Sequence, residues 1–177
     1  MPPMPAAAFW QLIDQAAAAA DHDAQEQLLV NALAGRTPEE IIGFELTLRQ
    51  FIIEADDYGI MGAQKIIDGY VSDDPYLYFR CWLIGQGQAV FTAALQHPDS
   101  LATVVPGAYE CDFESLLYVA TKAYELQTGK AEDDTFPRGV ALSQGLDYDF
   151  MAPPTTGADW EEEDLPKMLP KLWKKFR

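Results

Sequence analysis

Adjacent carboxylates are the side chains of this sequence whose types most readily suggest chemistry. Two acids close together can bind a metal ion or share the roles of general acid and general base, and the pairs Asp56-Asp57 and Asp73-Asp74 have the required types. Neighbouring residues on a helix do not share a face, however. Both pairs lie where helices are expected to begin or end. We therefore interpret them as caps and turn formers, with a carboxylate site as the alternative.

The histidines and cysteines show no catalytic or metal-binding spacing. His22 and His97 fall at predicted helix boundaries and belong to neither an HExxH nor an ExxH pattern. A nucleophilic cysteine needs basic surroundings, whereas Cys81 lies mid-helix beside Trp82 and Cys111 lies between two acids. We predict no catalytic residue, no metal site and no bound cofactor. A helical fold could still assemble a site from residues that are distant in sequence.

The Gly85-Gln86-Gly87 triplet could open a phosphate-binding loop. It lacks the third glycine of a dinucleotide-binding turn and the strand that should precede it. Apolar residues at helical spacing, among them Phe79 and Phe91, run straight through the triplet. We therefore predict one helix over residues 75 to about 96, with at most a bend at the triplet. Gly87 lies on the apolar face, where we expect another helix to approach closely.

The elements that position these residues are predicted to be helices. The clearest start signal is Thr37-Pro38-Glu39-Glu40, which combines a capping box with proline in the first turn. Further helices are predicted over residues 6–20, 23–35, 37–57, 58–69 and 109–130, and a short one within 161–176. The fold class is thus mainly α, a compact single-domain bundle of about five to seven helices.

Composition and length set the wider limits. A chain of 177 residues with 49% apolar residues is expected to form one domain with an ordinary core. Residues 1–131 should form the helical core, and residues 132–177 an irregular acidic segment wrapped over it plus a short basic C-terminal helix. No stretch is apolar enough to span a membrane and no export signal is evident, so a cytoplasmic location is expected.

The net charge of −16 is the extreme feature of the sequence. It argues against binding to nucleic acids or anionic membranes, which need clustered lysine and arginine. Residues 132–165 hold ten acidic residues and one basic residue, whereas residues 166–177 hold five basic residues and no acid. Such a charge either attracts a basic protein partner or serves solubility alone. Acids before bases would also suit the dipole of a closing helix.

These observations favour a non-enzymatic interaction or regulatory protein that binds a basic protein through an acidic surface. The alternative is an enzyme or small-ligand-binding protein with a pocket between helices, lined by aromatic residues and carboxylates. The sequence does not indicate the oligomeric state. The candidate interaction surface consists of Asp56, Asp57, Asp159, Glu161, Glu162, Glu163 and Asp164.

Several stretches together resemble a known family. They are "FWQLID" at 9–14, "TPEEIIGFE" at 37–45, "SDDPYLYFRCWLIGQGQAVFTAAL" at 72–95, "PDSLA" at 98–102, "CDFESLLYVATKAYE" at 111–125 and "LPKLWKKF" at 169–176. In this order they resemble an uncharacterised bacterial family that is known only as a domain of unknown function. The resemblance implies a small, mainly helical, cytoplasmic domain. It implies no catalytic residue.

Overall fold

The computed structural model describes residues 1–131 and 138–177, without the side chain of Arg138. Over those ranges the chain forms ten α-helices and three 3₁₀ helices, and the described residues contain no β-strand. The α-helices are α1 Ala6–Ala16, α2 His22–Ala34, α3 Pro38–Glu54, α4 Tyr58–Asp68, α5 Asp73–Gly85, α6 Gln88–Gln96, α7 Val119–Thr128, α8 Arg138–Ser143, α9 Leu165–Met168 and α10 Pro170–Phe176. The 3₁₀ helices are Pro98–Thr103, Glu114–Tyr118 and Glu162–Asp164.

The mainly α fold class is confirmed, but the predicted number of helices was too low. One predicted helix is divided in two, the stretch predicted to be irregular contains α8, and the short helix predicted within residues 161–176 is present as two, α9 and α10. None of the described helices combines the length and the apolar character needed to cross a bilayer. Glu132, Asp133 and Asp134, which contribute to the acidic segment in the sequence, lie outside the described residues.

Helix α3 begins as the sequence predicted. Thr37 accepts a hydrogen bond from the backbone N–H of Glu40, and the Glu40 carboxylate accepts from the backbone N–H of Thr37 at 3.0 Å. This second bond lowers the pKa of Glu40, and the nearby Arg36 guanidinium lowers it further. Pro38 occupies the first turn. The start of the longest helix is therefore encoded locally.

The predicted continuous helix over residues 75–96 is wrong, because the chain breaks between α5 and α6. Gly87 has φ +97°, a left-handed conformation that glycine adopts readily. Asp14 of α1 then accepts a hydrogen bond from the backbone N–H of Gln88 at 2.8 Å, which satisfies an amide at the start of α6. Gly87 therefore permits the turn, and it also allows the expected close approach of α1, because a Cβ atom at this position would lie 2.7 Å from the Asp14 carboxylate.

A second close approach occurs at Gly85. A Cβ atom placed there would lie 2.7 Å from the Phe113 ring, so only glycine fits without movement of that ring. The buried Gln25 side chain donates to the Gly85 carbonyl oxygen at 2.7 Å. Of the two glycines in the triplet, Gly85 is needed for packing against Phe113 and Gly87 for the turn between α5 and α6.

A cluster of aromatic residues from three helices lies in the core. Phe9 and Trp10 of α1 contact Phe44 and Phe51 of α3, with ring centroids 4.7–5.2 Å apart. Phe91 of α6 completes the group, 5.1 Å from Trp10 and 5.5 Å from Phe51. Rings at these separations add attraction beyond the burial of their area. This cluster joins α1, α3 and α6.

The basic C-terminal helix α10 packs on the 3₁₀ helix Pro98–Thr103. The Asp99 carboxylate accepts hydrogen bonds from the backbone N–H groups of Lys171 and Leu172, at the positive end of α10. Lys175 donates to two backbone carbonyl oxygens at 2.9 and 2.7 Å. The capping of α10 by Asp99 and the hydrogen bonds of Lys175 therefore hold this helix on the 3₁₀ helix Pro98–Thr103 and the residues that follow it.

Phe79 tests the packing of α5. Its ring is fully buried, so Phe79→Ala should lower the free energy of unfolding by about 3–5 kcal/mol in chemical denaturation. Phe150→Ala is the matched control because that ring is 93% exposed, and its effect should stay within about 0.5 kcal/mol. Equal effects of the two substitutions would contradict the packing described here.

Candidate functional site

Two residues of the predicted interaction surface, Asp56 and Asp57, form the turn between α3 and α4. Thr156 donates its backbone N–H to the carbonyl oxygen of Asp56 at 2.9 Å, and Tyr58 donates its own to the carbonyl oxygen of Thr156 at the same distance. These bonds form a single parallel β-bridge. The Thr155 hydroxyl also donates to the Asp56 carboxylate at 3.0 Å. The turn therefore binds Thr155 and Thr156, which directly precede the other five residues of the predicted surface in the sequence.

Two residues of α5, Tyr76 and Arg80, contact the turn. The Tyr76 hydroxyl accepts from the backbone N–H of Asp57 at 3.2 Å and donates to its carbonyl oxygen at 3.1 Å. Burial raises the pKa of Tyr76, so the phenol stays protonated and can donate. The buried Arg80 guanidinium lies 3.8 Å from the Asp56 carboxylate. The two acids are thus half-buried structural groups rather than exposed ones.

The other members of the predicted surface follow immediately along the chain. We call Asp159 and Glu161–Asp164 the acidic strip; all five side chains are exposed. Trp160 lies between them, and its indole N–H donates to the carbonyl oxygen of Tyr58 at 2.7 Å. Leu165, which comes directly after the strip, is buried. The strip is therefore attached at both ends to the helical part of the molecule.

One ion pair connects the strip with a helix in the part of the chain that the structure describes. Glu162 lies 3.2 Å from the Lys65 ammonium of α4. Asp164 accepts from the backbone N–H of Glu161 at 3.4 Å, and Asp159 accepts from that of Trp160 at 2.8 Å. Two of the seven predicted residues thus lie in the turn and five in the strip, and the two segments are joined through Thr155, Thr156 and Trp160.

A buried ion pair that the sequence analysis did not single out lies in α3. The Arg49 guanidinium donates to the Glu45 carboxylate at 2.7 Å, and each side chain is about 4% exposed. Arg49 also donates to the carbonyl oxygen of Leu146 at 3.1 Å and lies 4.5 Å over the Tyr148 ring. The four-residue spacing of Glu45 and Arg49 on a helix was the available signal.

Arg49 lines a cavity of about 300 Å³, at the lower limit for ligand pockets. The other lining residues are Leu77, Tyr78, Leu117, Tyr118, Leu142, Asp147, Tyr148, Asp149 and Phe150. Leu142 is half exposed and Phe150 almost fully exposed. The cavity combines one buried cation with three tyrosines and two carboxylates, the kind of lining that the alternative function requires.

The described side chains contain no group of three or more His, Cys, Asp or Glu residues that could hold a metal ion. Cys81 and Cys111 are free, buried thiols. Burial raises the pKa of both, that of Cys111 to about 12, so each is protonated at neutral pH. A protonated thiol is a poor nucleophile and a poor metal ligand.

Comparison with known protein families identifies the chain. The model of the family described as Protein of unknown function (DUF4240) matches residues 4–126, which is more than half of the chain. The chain belongs to this family. No curated protein and no solved structure matches it. The resemblance to a family of unknown function with small helical domains is thereby confirmed.

The DUF4240 region covers the helices from α1 to most of α7, and it includes the Asp56-Asp57 turn and Arg49. The acidic strip and the residues that dock on the turn, Thr155 and Thr156, lie outside it. The turn therefore connects the DUF4240 region with the part of the chain that the family model does not match.

Substitution of Gly157 tests whether the segment that leads to the strip packs on the Asp56-Asp57 turn. Gly157 has φ +83°, and a Cβ atom there would overlap the Asp57 carboxylate. Gly129→Ala is the matched control, because Gly129 has φ +69° but open space around it. The control should cost about 1–2 kcal/mol from backbone strain alone. Gly157→Ala should cost at least about 1 kcal/mol more in chemical denaturation, and equal costs would contradict the docking.

The Glu45–Arg49 pair generates a second test. Arg49→Met leaves the Glu45 carboxylate buried without this cation, so the free energy of unfolding should fall by about 3–5 kcal/mol. The double variant Glu45→Leu/Arg49→Met removes both charges and should recover most of that loss. Thermal denaturation with matched buffers measures both. A double variant as unstable as Arg49→Met would show that the pair is not the source of the effect.

Proposed function

We propose that this DUF4240 protein is a non-enzymatic interaction protein whose acidic strip binds a basic protein partner. The observation that supports this most directly is the strip itself, five exposed carboxylates on a segment that is hydrogen-bonded and packed at both ends. A fixed row of charges loses little conformational freedom on binding, which lowers the cost of association. The net charge of −16 adds long-range attraction for a basic surface.

The proposal includes the position of the acidic segment across the helical core. It is supported by the bonds of Thr155 and Thr156 to the Asp56-Asp57 turn, by the Trp160 bond to Tyr58 and by the Arg49 bond to Leu146. These four contacts join residues about a hundred positions apart in the sequence.

We also propose a cytoplasmic location. Both cysteines are thiols rather than a disulfide, as expected in a reducing compartment.

A small-ligand-binding protein or an enzyme is the second candidate, and the Arg49 cavity favours it. Ionisable groups clustered in one pocket are typical of ligand sites, and this cavity holds a buried arginine beside tyrosines. The arginine is already paired with Glu45, however, and both described thiols are protonated. The acidic strip is therefore the better supported site.

The rate of association tests the acidic strip. A basic protein captured from extract of the source cells at low salt would be purified and measured against the wild type by biolayer interferometry. Reversal of Glu161, Glu162 and Glu163 to lysine should slow association about tenfold or more and change dissociation little, because exposed charges mainly steer the encounter. Raising the salt concentration from 0.1 M towards 1 M should remove most of the difference, since screening shortens the Debye length from about 10 Å to about 3 Å.

The control is a second triple reversal with the same change in net charge. Glu39, Glu54 and Glu125 are exposed on α3 and α7 and lie outside the strip. Reversal of these three should reduce association much less. Equal effects of the two triple variants would refute a role specific to the strip, and so would failure to retain any basic protein at low salt.

A further inference from the structure

The Arg49 cavity lies where the DUF4240 region meets residues that follow it in the sequence. Its walls come from α3, α5, the 3₁₀ helix Glu114–Tyr118, α8 and the loop after α8. The walls from α3, α5 and the 3₁₀ helix lie within residues 4–126, and those from α8 and the loop lie outside them. A volume of about 300 Å³ suits a small ligand.

Most of the wall is aromatic or aliphatic. Three lining residues are leucines and four are aromatic, namely Leu77, Leu117, Leu142, Tyr78, Tyr118, Tyr148 and Phe150. None of these seven residues is fully buried, so a ligand that enters from solvent can contact them. The cavity therefore offers such a ligand mainly ring and alkyl surface.

Phe150 stands at the rim of the cavity. Its ring is 93% exposed, and Met151 beside it is 80% exposed. The Asp147 carboxylate accepts hydrogen bonds from the backbone N–H groups of Asp149 and Met151, both at 2.9 Å, which holds the loop that carries the ring. Apolar surface left in water is favourable to cover, and a ligand in the cavity would cover part of it.

Arg49 does not make the cavity a site for anions. Its guanidinium donates to the Glu45 carboxylate at 2.7 Å, and the two side chains are about 4% exposed. The charge of the arginine is therefore balanced where it lies. The guanidinium also lies 4.5 Å over the Tyr148 ring, so one ring of this cavity already contacts a cation.

The remaining charges on the wall are negative. Asp147 and Asp149 line the cavity, and Arg49 is the one cation among its lining residues that the structure describes. Since Glu45 balances Arg49, the two aspartates decide the sign of the potential. The cavity therefore attracts a cation.

The tyrosines of the wall lie in the same negative environment. The Tyr118 hydroxyl donates to the Glu114 carboxylate at 3.0 Å. Desolvation raises the pKa of Tyr78, and the charges of Glu114 and Asp74 raise it further. Two more carboxylates thus add to the attraction for a cation.

The carboxylates nearest the cavity are already engaged as hydrogen-bond acceptors. Each oxygen of Asp147 accepts a backbone N–H, and Glu114 accepts from Tyr118. A primary ammonium is strongly hydrated and needs acceptors for its three N–H groups when it leaves water. A quaternary ammonium has no N–H group, and its methyl groups suit aromatic and aliphatic walls.

We propose that the Arg49 cavity binds a quaternary ammonium group. The rings of Tyr78, Tyr118 and Phe150 contact its methyl groups, and the carboxylates of Asp147 and Asp149 balance its charge. The site uses no residue of the acidic strip and does not rest on the interaction function proposed above. It gives the second candidate function a class of ligand.

Titration of the full chain with choline chloride tests the proposal. NMR follows the methyl signals of Leu117 and Leu142, and sodium chloride holds the ionic strength constant. The reference ligand is neohexyl alcohol, which has the shape of choline with carbon in place of the charged nitrogen. We expect saturable shifts with choline and about tenfold weaker binding of the alcohol, because the rings attract the charge. Absence of saturable shifts with choline would overturn the proposal, and equal binding of the alcohol would overturn the assignment of a cation.

Ethanolamine distinguishes a quaternary ammonium from an ordinary amine. It is a cation at neutral pH and carries N–H groups where choline carries methyl groups. We expect it to bind about tenfold more weakly than choline, because its ammonium gives up hydration without gaining acceptors. Ethanolamine that binds as tightly as choline would contradict the quaternary assignment.

Two variants with matched controls locate the binding. Phe150→Ala removes a ring of the cavity and should weaken choline binding several-fold, whereas Tyr70→Ala removes an exposed ring that does not line it and should not. Asp149→Asn should also weaken binding several-fold, because it removes a charge at the rim. Glu39→Gln makes the same change in net charge at an exposed position of α3 and should leave the affinity unchanged. Wild-type affinity in both Phe150→Ala and Asp149→Asn would refute the site.

The source of the quaternary ammonium is distinguished by size. A free compound and a trimethylated lysine of a protein present the same head group. A peptide with trimethyllysine between two glycines that binds at least as tightly as choline would support a modified protein. Exclusion of the peptide while choline still binds would support a free compound. Reversal of Glu161, Glu162 and Glu163 to lysine should leave choline binding unchanged, so the two proposals can fail separately.

Discussion

The buried guanidinium of Arg80 is the group on which the arrangement of this molecule depends. It is 6% exposed, and it donates to the carbonyl oxygen of Ile52 at 3.1 Å near the end of α3. It also lies 4.6 Å over the Tyr76 ring and 3.8 Å from the Asp56 carboxylate. A charge without solvent must find such partners. By finding them here, Arg80 joins α3 and α5 to the turn on which the C-terminal segment docks.

The acidic residues of the chain have two different tasks. Some stabilise the fold: Glu40 completes the capping box of α3, Asp21 caps α2 and Asp99 caps α10 across the molecule. The exposed acids of the strip cap little beyond their own short turn, and one of them forms an ion pair in the part of the chain described. Capping therefore explains part of the charge but not the exposed carboxylates of the strip, which we propose to be a binding surface.

Local signals could be read from the sequence, whereas contacts between distant residues could not. The Thr37-Pro38-Glu39-Glu40 start and the burial of Phe79 follow from neighbouring residues alone, and both are confirmed. The break at Gly87 was missed because it depends on Asp14, which lies far away in the sequence and accepts from the next amide. Apolar spacing continues across the break, so periodicity alone favoured one helix.

In the candidate sites, too, local features could be predicted from the sequence and contacts between distant residues could not. The acids of the strip were evident as a run of charge in the sequence, but the anchoring of that run through Thr155, Thr156 and Trp160 depends on the turn at residue 56. The Arg49 cavity was missed for the same reason, since Arg49 and Tyr148 meet only through the fold.

Native-state hydrogen exchange of two amides tests most directly whether the C-terminal segment is held on the turn. The Thr156 amide donates to the Asp56 carbonyl oxygen and the Tyr58 amide donates to the Thr156 carbonyl oxygen, so the two should open together. The account predicts that both amides exchange slowly and with similar opening free energies, well above those of fraying termini. A Thr156 amide that exchanges at the rate of an unstructured peptide, while α3 and α5 remain protected, would contradict it.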